Sequence, residues 1–149
     1  MGTWGIDDAA PDDALVWLAQ LDPAQGTAPV DRVLRRAADA PDPRLEPSRA
    51  EIAVAAAELV AALHGHPNPS LPPAARAWVD AMGGPRPLRS DAELEILVLA
   101  TRALDLVVTS SQLADLRSEQ GDDERWRLGL DDLRMRLAAA GGMPRNPLA

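Results

Sequence analysis

Residues 90–108 carry the sequence SDAELEILVLATRALDLVV, the strongest indication of fold in this chain. Ser90 and Glu93 form the S-x-x-E pattern that is typical of a helix N-terminus. The apolar residues that follow recur at helical spacing and cover nearly the whole circumference, which predicts a buried helix. A buried strand would be shorter and would not begin with such a cap. We therefore predict that this fifth helix, at about 90–108, lies at the centre of the fold.

Six further segments show helical periodicity, and proline or glycine residues separate them. The predicted helices span residues 11–21, 29–40, 47–63, 72–82, a segment that ends near 119, and 122–140. β-branched residues are scattered, and no two-residue hairpin signal occurs. The sequence therefore predicts an all-α fold, an irregular antiparallel bundle of six or seven helices. We expect one helical domain at 1–140 and a loose tail at 141–149.

Length and composition favour a single globular domain. The chain has 149 residues, of which 46% are hydrophobic, enough for one sizeable core. It contains no cysteine, which removes disulfides and thiolate metal sites. Its first residues lack the features of a secretory signal, and no apolar run approaches the ~20 residues of a membrane span. We expect a cytoplasmic protein that does not bind membranes.

The charge distribution bears on possible partners. The net charge is −8, from 15 basic and 23 acidic residues, and the first 31 residues include six aspartates and no basic residue. Nucleic acid binding requires clustered basic residues, so we expect no nucleic acid partner. An acidic surface improves solubility and would also attract a basic protein partner.

Few residues suggest catalysis or metal binding. His64 and His66 form an H-x-H pattern, but two histidines without a thiol fall short of the usual zinc ligand sets. We expect His64 to interact with the end of the third helix and His66 to lie in a loop. Asp12 and Asp13 stand at a predicted helix start, where acidic residues are stabilising. The sequence therefore predicts no catalytic residue, no cofactor and no metal site.

Trp4 is the least expected of the four tryptophans. It lies in a glycine-flanked segment without periodicity, so we predict that it packs into a groove between helices and fixes the N-terminus. The alternatives are a mobile terminus, in which Trp4 has no fixed place, and a partner interface anchored by this residue. Trp17, Trp78 and Trp126 fall on apolar helix faces, and we predict that they belong to the core.

The N-terminal pattern is distinctive. The chain begins Met1-Gly2-x-Trp4-Gly5 and continues with Asp12-x-Ala14-x-x-Trp17-Leu18. It resembles an uncharacterised bacterial family whose members typically begin M-G-x-W-G-x-G-x-F-x-N-D-x-A-x-D-W-L. Four residues of this chain differ from the centre of that motif: Asp7, Ala9, Pro11 and Val16. The resemblance implies a single bacterial cytoplasmic domain and no particular activity, because the family is a domain of unknown function.

Three functional interpretations remain open. The sequence favours a non-enzymatic, acidic helical module that binds a protein, for example to neutralise a toxin. The first alternative is a small enzyme with a site built from carboxylates at helix ends, or a metal site assisted by His64 or His66. The second is a structural subunit of a homo-oligomer, because the many alanines of the third helix would allow close helix packing.

Overall fold

The computed structural model describes residues 12–39, 46–110, 112–121 and 123–141, and within these ranges it is helical with no β-strand. Its α-helices are α1 (Asp12–Ala19), α2 (Ala28–Ala38), α3 (Pro47–Leu63), α4 (Pro73–Ala81), α5 (Asp91–Ser110), α6 (Gln112–Gln120) and α7 (Asp123–Ala140). A short 3-10 turn at Pro23–Gln25 follows α1. The predicted all-α fold class is confirmed, and the helix bounds agree with the prediction to within about two residues.

Helices α3 and α4 end in the same backbone arrangement. Gly65 follows α3 with a φ of 94°, and Gly83 follows α4 with a φ of 79°. In each case the N–H of the next residue donates back to a helix carbonyl, at 2.8 Å after α3 and 2.9 Å after α4. These are Schellman motifs, in which glycine adopts a left-handed conformation at low cost. The predicted stops after these helices are therefore local properties of the sequence.

The start of α5 uses the predicted cap in a modified form. Ser90 Oγ accepts a hydrogen bond from the Glu93 backbone N–H at 3.3 Å. Glu93 does not return the bond to Ser90; its Oε1 accepts from the Arg89 backbone N–H at 2.7 Å. The carboxylate is thereby fixed at the point where the chain enters α5.

Helix α5 shares the centre of the bundle with α3. It packs against α2, α3, α6 and α7, which places it inside the bundle as predicted, but α3 packs against all six other helices. Every residue of α3 from Ala53 onward is buried, whereas Leu94 and Val98 of α5 are exposed. Small side chains allow neighbouring helices to approach α3 from every direction.

The buried side chains of these helices form one hydrophobic core. Trp78 and Trp126 belong to it, as predicted, and Trp17 packs against it while partly buried. The alanines of α3, on which the homo-oligomer interpretation rested, lie inside this core and form no outer face. Trp4 and residues 142–149 of the predicted tail lie outside the described residues. Among the described helices, none combines the length and the hydropathy needed to cross a membrane.

Candidate binding groove

The two histidines lie at the end of the bundle where α3 stops. His64 is buried, and its Nδ1 is 2.9 Å from the backbone oxygen of Arg86. His66 is half-buried, and its backbone oxygen accepts a hydrogen bond from Arg136 Nη1 at 3.2 Å. Within the described ranges, no group of three or more His, Asp or Glu residues is arranged to hold a metal ion. His64 therefore joins two parts of the chain, in addition to its place at the helix end.

Asp12 and Asp13 lie on a different surface, at the exposed start of α1. Both carboxylates interact electrostatically with Glu51, which lies in the first half of α3. Burial raises the pKa of Glu51, Arg117 partly offsets this effect, and the two aspartates raise the pKa further. This acidic surface (Asp12, Asp13 and Glu51) is therefore a place where carboxylates repel one another and where a cation would be favoured.

A buried carboxylate organises the loop after α3. Glu58 is fully buried in the middle of α3, and Arg136 of α7 binds both of its oxygens, at 2.8 and 3.1 Å. Asn68 Nδ2 donates to the same carboxylate at 3.1 Å, and Asp132 accepts from Arg136 Nε at 2.8 Å. We call these four residues the Glu58 network. It joins α3, α7 and the loop between α3 and α4.

The Glu58 network also fixes the loop backbone. Asn68 Oδ1 accepts from the Ser70 backbone N–H at 2.8 Å, and Arg136 holds the His66 carbonyl. Burial alone would lower the pKa of Arg136, but the carboxylates of Glu58 and Asp132 outweigh that effect and raise it. The remaining hydrogen-bonding capacity of the ion pair is directed at the loop, where Asn68 binds Glu58 and the His66 carbonyl accepts from Arg136.

A second ion pair organises the loop between α4 and α5. Arg86 binds Glu93 through two parallel hydrogen bonds of 2.8 and 2.7 Å, and both side chains are largely buried. The backbone of Arg86 also contacts the end of α3, because its N–H donates to the Leu63 carbonyl at 2.8 Å and its carbonyl lies beside His64. Arg86, Glu93 and His64 form what we call the Arg86 network.

The Arg86 network favours the ionised form of Glu93. Hydrogen bonds from the Arg86 side chain lower the pKa of Glu93; burial opposes this, and the Arg89 backbone N–H lowers it again. The bidentate geometry is that of a strong, charge-assisted pair. The loop is therefore held by a carboxylate that stays charged at neutral pH.

A groove of about 320 Å³ opens between the two loops and α4. Most of the residues that line the groove are aliphatic or proline. Asn68 of the Glu58 network is one of the polar lining residues. The lining residues are Ala62, Pro67, Asn68, Pro69, Leu71, Arg76, Val79, Asp80 and Pro85. Its volume lies at the lower end of the range for ligand sites.

Two opposite charges line this groove from α4. Arg76 and Asp80 stand four residues apart, so they lie on the same side of the helix, and both are exposed. Among the residues that the structure describes, neither side chain has a hydrogen-bond or ion-pair partner. The groove therefore offers an apolar wall with one free cation and one free anion.

The sequence did not predict this site. Glu58 gave a signal, since it is the single charged residue between Ile52 and Leu63, and such a residue needs a partner when the helix is buried. Nothing in the sequence identified Arg136 as that partner, 78 positions away. Arg76 and Asp80 look like ordinary surface residues until the loops are placed beside them.

Comparisons with known proteins identify a family and no activity. No curated protein and no solved structure shows significant similarity to the chain. The profile of a domain-of-unknown-function family, DUF4259, matches residues 2–128. Because the match covers most of the 149 residues, this chain belongs to the domain-of-unknown-function family DUF4259.

Proposed function

We propose that this protein is a non-enzymatic protein-binding module and that its groove holds a short segment of a protein partner. The observation that carries the proposal is a pair of opposite charges, Arg76 and Asp80, on the wall of a mostly apolar groove, neither with a partner among the described residues. Aliphatic walls supply contact area, and a few polar groups fix the orientation of what is bound.

The loops that form the groove are arranged in advance. The Glu58 network holds the loop that carries Asn68, and the Arg86 network holds the loop that carries Pro85. Buried ion pairs are seldom the most stabilising choice for a core, and one of their uses is to specify a conformation. A site with fixed walls loses less conformational entropy when a ligand binds.

We propose a basic segment as the partner. Asp80 would pair with a Lys or Arg side chain, Arg76 would donate to main-chain carbonyls, and the wall around Leu71 and Val79 would contact an aliphatic side chain. The net charge of −8 would accelerate association with a basic protein at low salt. The acidic surface at Asp12, Asp13 and Glu51 would add to that attraction.

A cross-linking experiment identifies the partner without presupposing it. A photo-reactive amino acid replaces Pro69, an exposed lining residue, and the protein is produced in its organism of origin. The matched control carries the same group at Leu128, an exposed position on α7. We expect one protein to be cross-linked from Pro69 and not from Leu128.

Calorimetry with the purified partner then tests the groove. Asp80→Asn and Arg76→Gln should each weaken binding about tenfold, the effect of losing one charged contact. Glu124→Gln removes a negative charge from α7 and should leave the Kd almost unchanged at moderate salt. The proposal is wrong if the Asp80 and Glu124 variants bind equally well, or if both positions cross-link the same proteins.

The proposed setting of this function rests on the sequence alone. We propose that the protein acts in the bacterial cytoplasm, in keeping with its lack of cysteine and the family resemblance. The two other interpretations receive no specific support: the alanines of α3 are internal, and His64 is engaged by the Arg86 backbone.

A further inference from the structure

A second, much smaller cavity lies beside the Arg86 network, among α2, α3, α4 and α5. Its volume is about 10 Å³. Aliphatic side chains form much of its wall, and four residues bring polar atoms to this region: Thr27, His64, Trp78 and Glu93. The question is what occupies a space of this size and polarity.

Trp78 has an unsatisfied hydrogen-bond donor. The residue is 3% exposed, its Nε1 is buried, and no acceptor among the described residues lies within hydrogen-bonding distance. Buried indole N–H groups usually have a partner, because an unpaired donor in the core is costly. The donor therefore requires an acceptor that the described side chains do not supply.

His64 lines the same cavity and can supply an acceptor through its second ring nitrogen. The Arg86 carbonyl can only accept, so Nδ1 of His64 carries the hydrogen in the 2.9 Å contact between them. In a neutral imidazole the other nitrogen, Nε2, is then an acceptor. The hydroxyl of Thr27 is a further polar group, since Thr27 makes no side-chain cap at the start of α2.

Size and charge leave one candidate occupant. A cavity of this volume is just large enough for a single water molecule. A bare cation is disfavoured by the Trp78 donor, and an anion is disfavoured by the Glu93 carboxylate. We propose that this cavity is the site of one buried water, which accepts a hydrogen bond from Trp78 Nε1 and donates one to His64 Nε2, with Thr27 as a further partner.

The proposed water connects two elements that lie beside the binding groove. Trp78 belongs to α4, which carries Arg76 and Asp80, whereas His64 belongs to the Arg86 network, which holds the neighbouring loop. The hydration site thus links α4 to the loop on which the groove depends. This inference stands on the cavity and its polar groups, so it holds whether or not the groove binds a protein.

Nuclear magnetic resonance detects such a water directly. In ¹⁵N-labelled protein the Trp78 indole proton is assigned by its loss in Trp78→Phe, and its cross-relaxation with water is measured in the unsubstituted protein. We expect a cross-peak with the sign of a long-lived bound water, and slow exchange of the same proton. Slow exchange without that cross-peak would show a dry cavity and would overturn the proposal. Trp17, which is only partly buried, supplies an internal reference for exchange with bulk water.

Filling the cavity should change Tm in opposite directions, depending on whether the cavity holds a water or is empty. Val60→Ile adds one methyl group at the cavity wall, and Val54→Ile adds the same group to a buried position of α3 outside it. If a water is displaced, the Trp78 cross-peak should vanish and Tm should fall by about 2–4 °C more than in the control, as expected for the loss of one buried hydrogen bond. A higher Tm for Val60→Ile would show that the cavity was empty.

Discussion

The ion pairs Arg136–Glu58 and Arg35–Glu95 both join one helix to another, with N–O distances of 2.8 and 3.0 Å. Their surroundings differ. The Arg136 and Glu58 side chains are 13% and 0% exposed, whereas those of Arg35 and Glu95 are 48% and 61% exposed. Judged by distance alone, the two pairs would be expected to contribute equally to stability.

Burial makes the two pairs physically different. Water solvates Arg35 and Glu95 almost equally well when they separate, so their attraction contributes little. Glu58 has no access to water, and its charge is tolerable only while Arg136 and Asn68 remain in place. The buried pair must therefore stay intact for the fold to be stable, whereas the exposed pair can separate at little cost. Three substitutions at ion-pair residues test this difference, and a fourth tests close packing against α3.

Glu58→Gln should have the largest effect. It leaves the Arg136 guanidinium largely buried without its main anion, which costs about 3–5 kcal/mol of the free energy of unfolding. Urea denaturation followed by circular dichroism measures the loss. The double variant Glu58→Met, Arg136→Met removes both charges and should recover much of the stability. A loss below about 1 kcal/mol for Glu58→Gln would mean that the pair behaves like a surface one.

Arg86→Gln should come next, with a loss of about 2 kcal/mol, because Glu93 would lose its bidentate partner. The pKa of Glu93 is lowered in the folded state, so its contribution is complete above the ordinary pKa of a glutamate and is lost as pH falls through the lowered value. The difference between the two proteins should therefore be constant from pH 7 to pH 5 and shrink in more acidic solution. A difference that grows below pH 4 would contradict this account.

Gly84→Ala should cost about 1–3 kcal/mol through overpacking. A Cβ at this position would lie 2.8 Å from Leu63 Cδ1 and 3.0 Å from Val79 Cγ1. Thermal unfolding measures the effect. In the Leu63→Ala background the same substitution should cost clearly less, since the closest atom is gone. Equal costs in both backgrounds would show that the contact with Leu63 is unimportant.

Arg35→Gln should have the smallest effect. Its pKa is raised by hydrogen bonds to Glu95 and Asp31, but the guanidinium is solvated and the ion pairs are screened. We expect only a small decrease in Tm at low salt and no decrease at high salt. A clear decrease in Tm that persists at high salt would show that this exposed ion pair contributes to stability as a buried one does.

The sequence predicted features that depend on neighbours along the chain. The stops after α3 and α4 were predictable because Gly65 and Gly83 act on the turn beside them. The contact between Asp132 and Arg136 is likewise local, because the two residues are one helical turn apart.

Features that depend on distant partners were not predictable in this way. The apolar pattern of α5 favoured this helix as the central one. In the structure, the small side chains of α3 allow every other helix to pack against α3. The groove arises only when two loops and α4 meet, and the partners of Glu58 are 10 and 78 residues away. Periodicity shows which side chains share a face of one helix. It does not show which face of another helix packs against that face.

The Glu58 network also bears on where this domain can be cut. The match to the family profile ends at residue 128, but Arg136 and Asp132 lie beyond that point in the second half of α7. A protein shortened to the matched region would retain the buried glutamate of α3 without its counter-ion. We therefore expect a fragment that ends at residue 128 to be less stable than one extended to the end of α7.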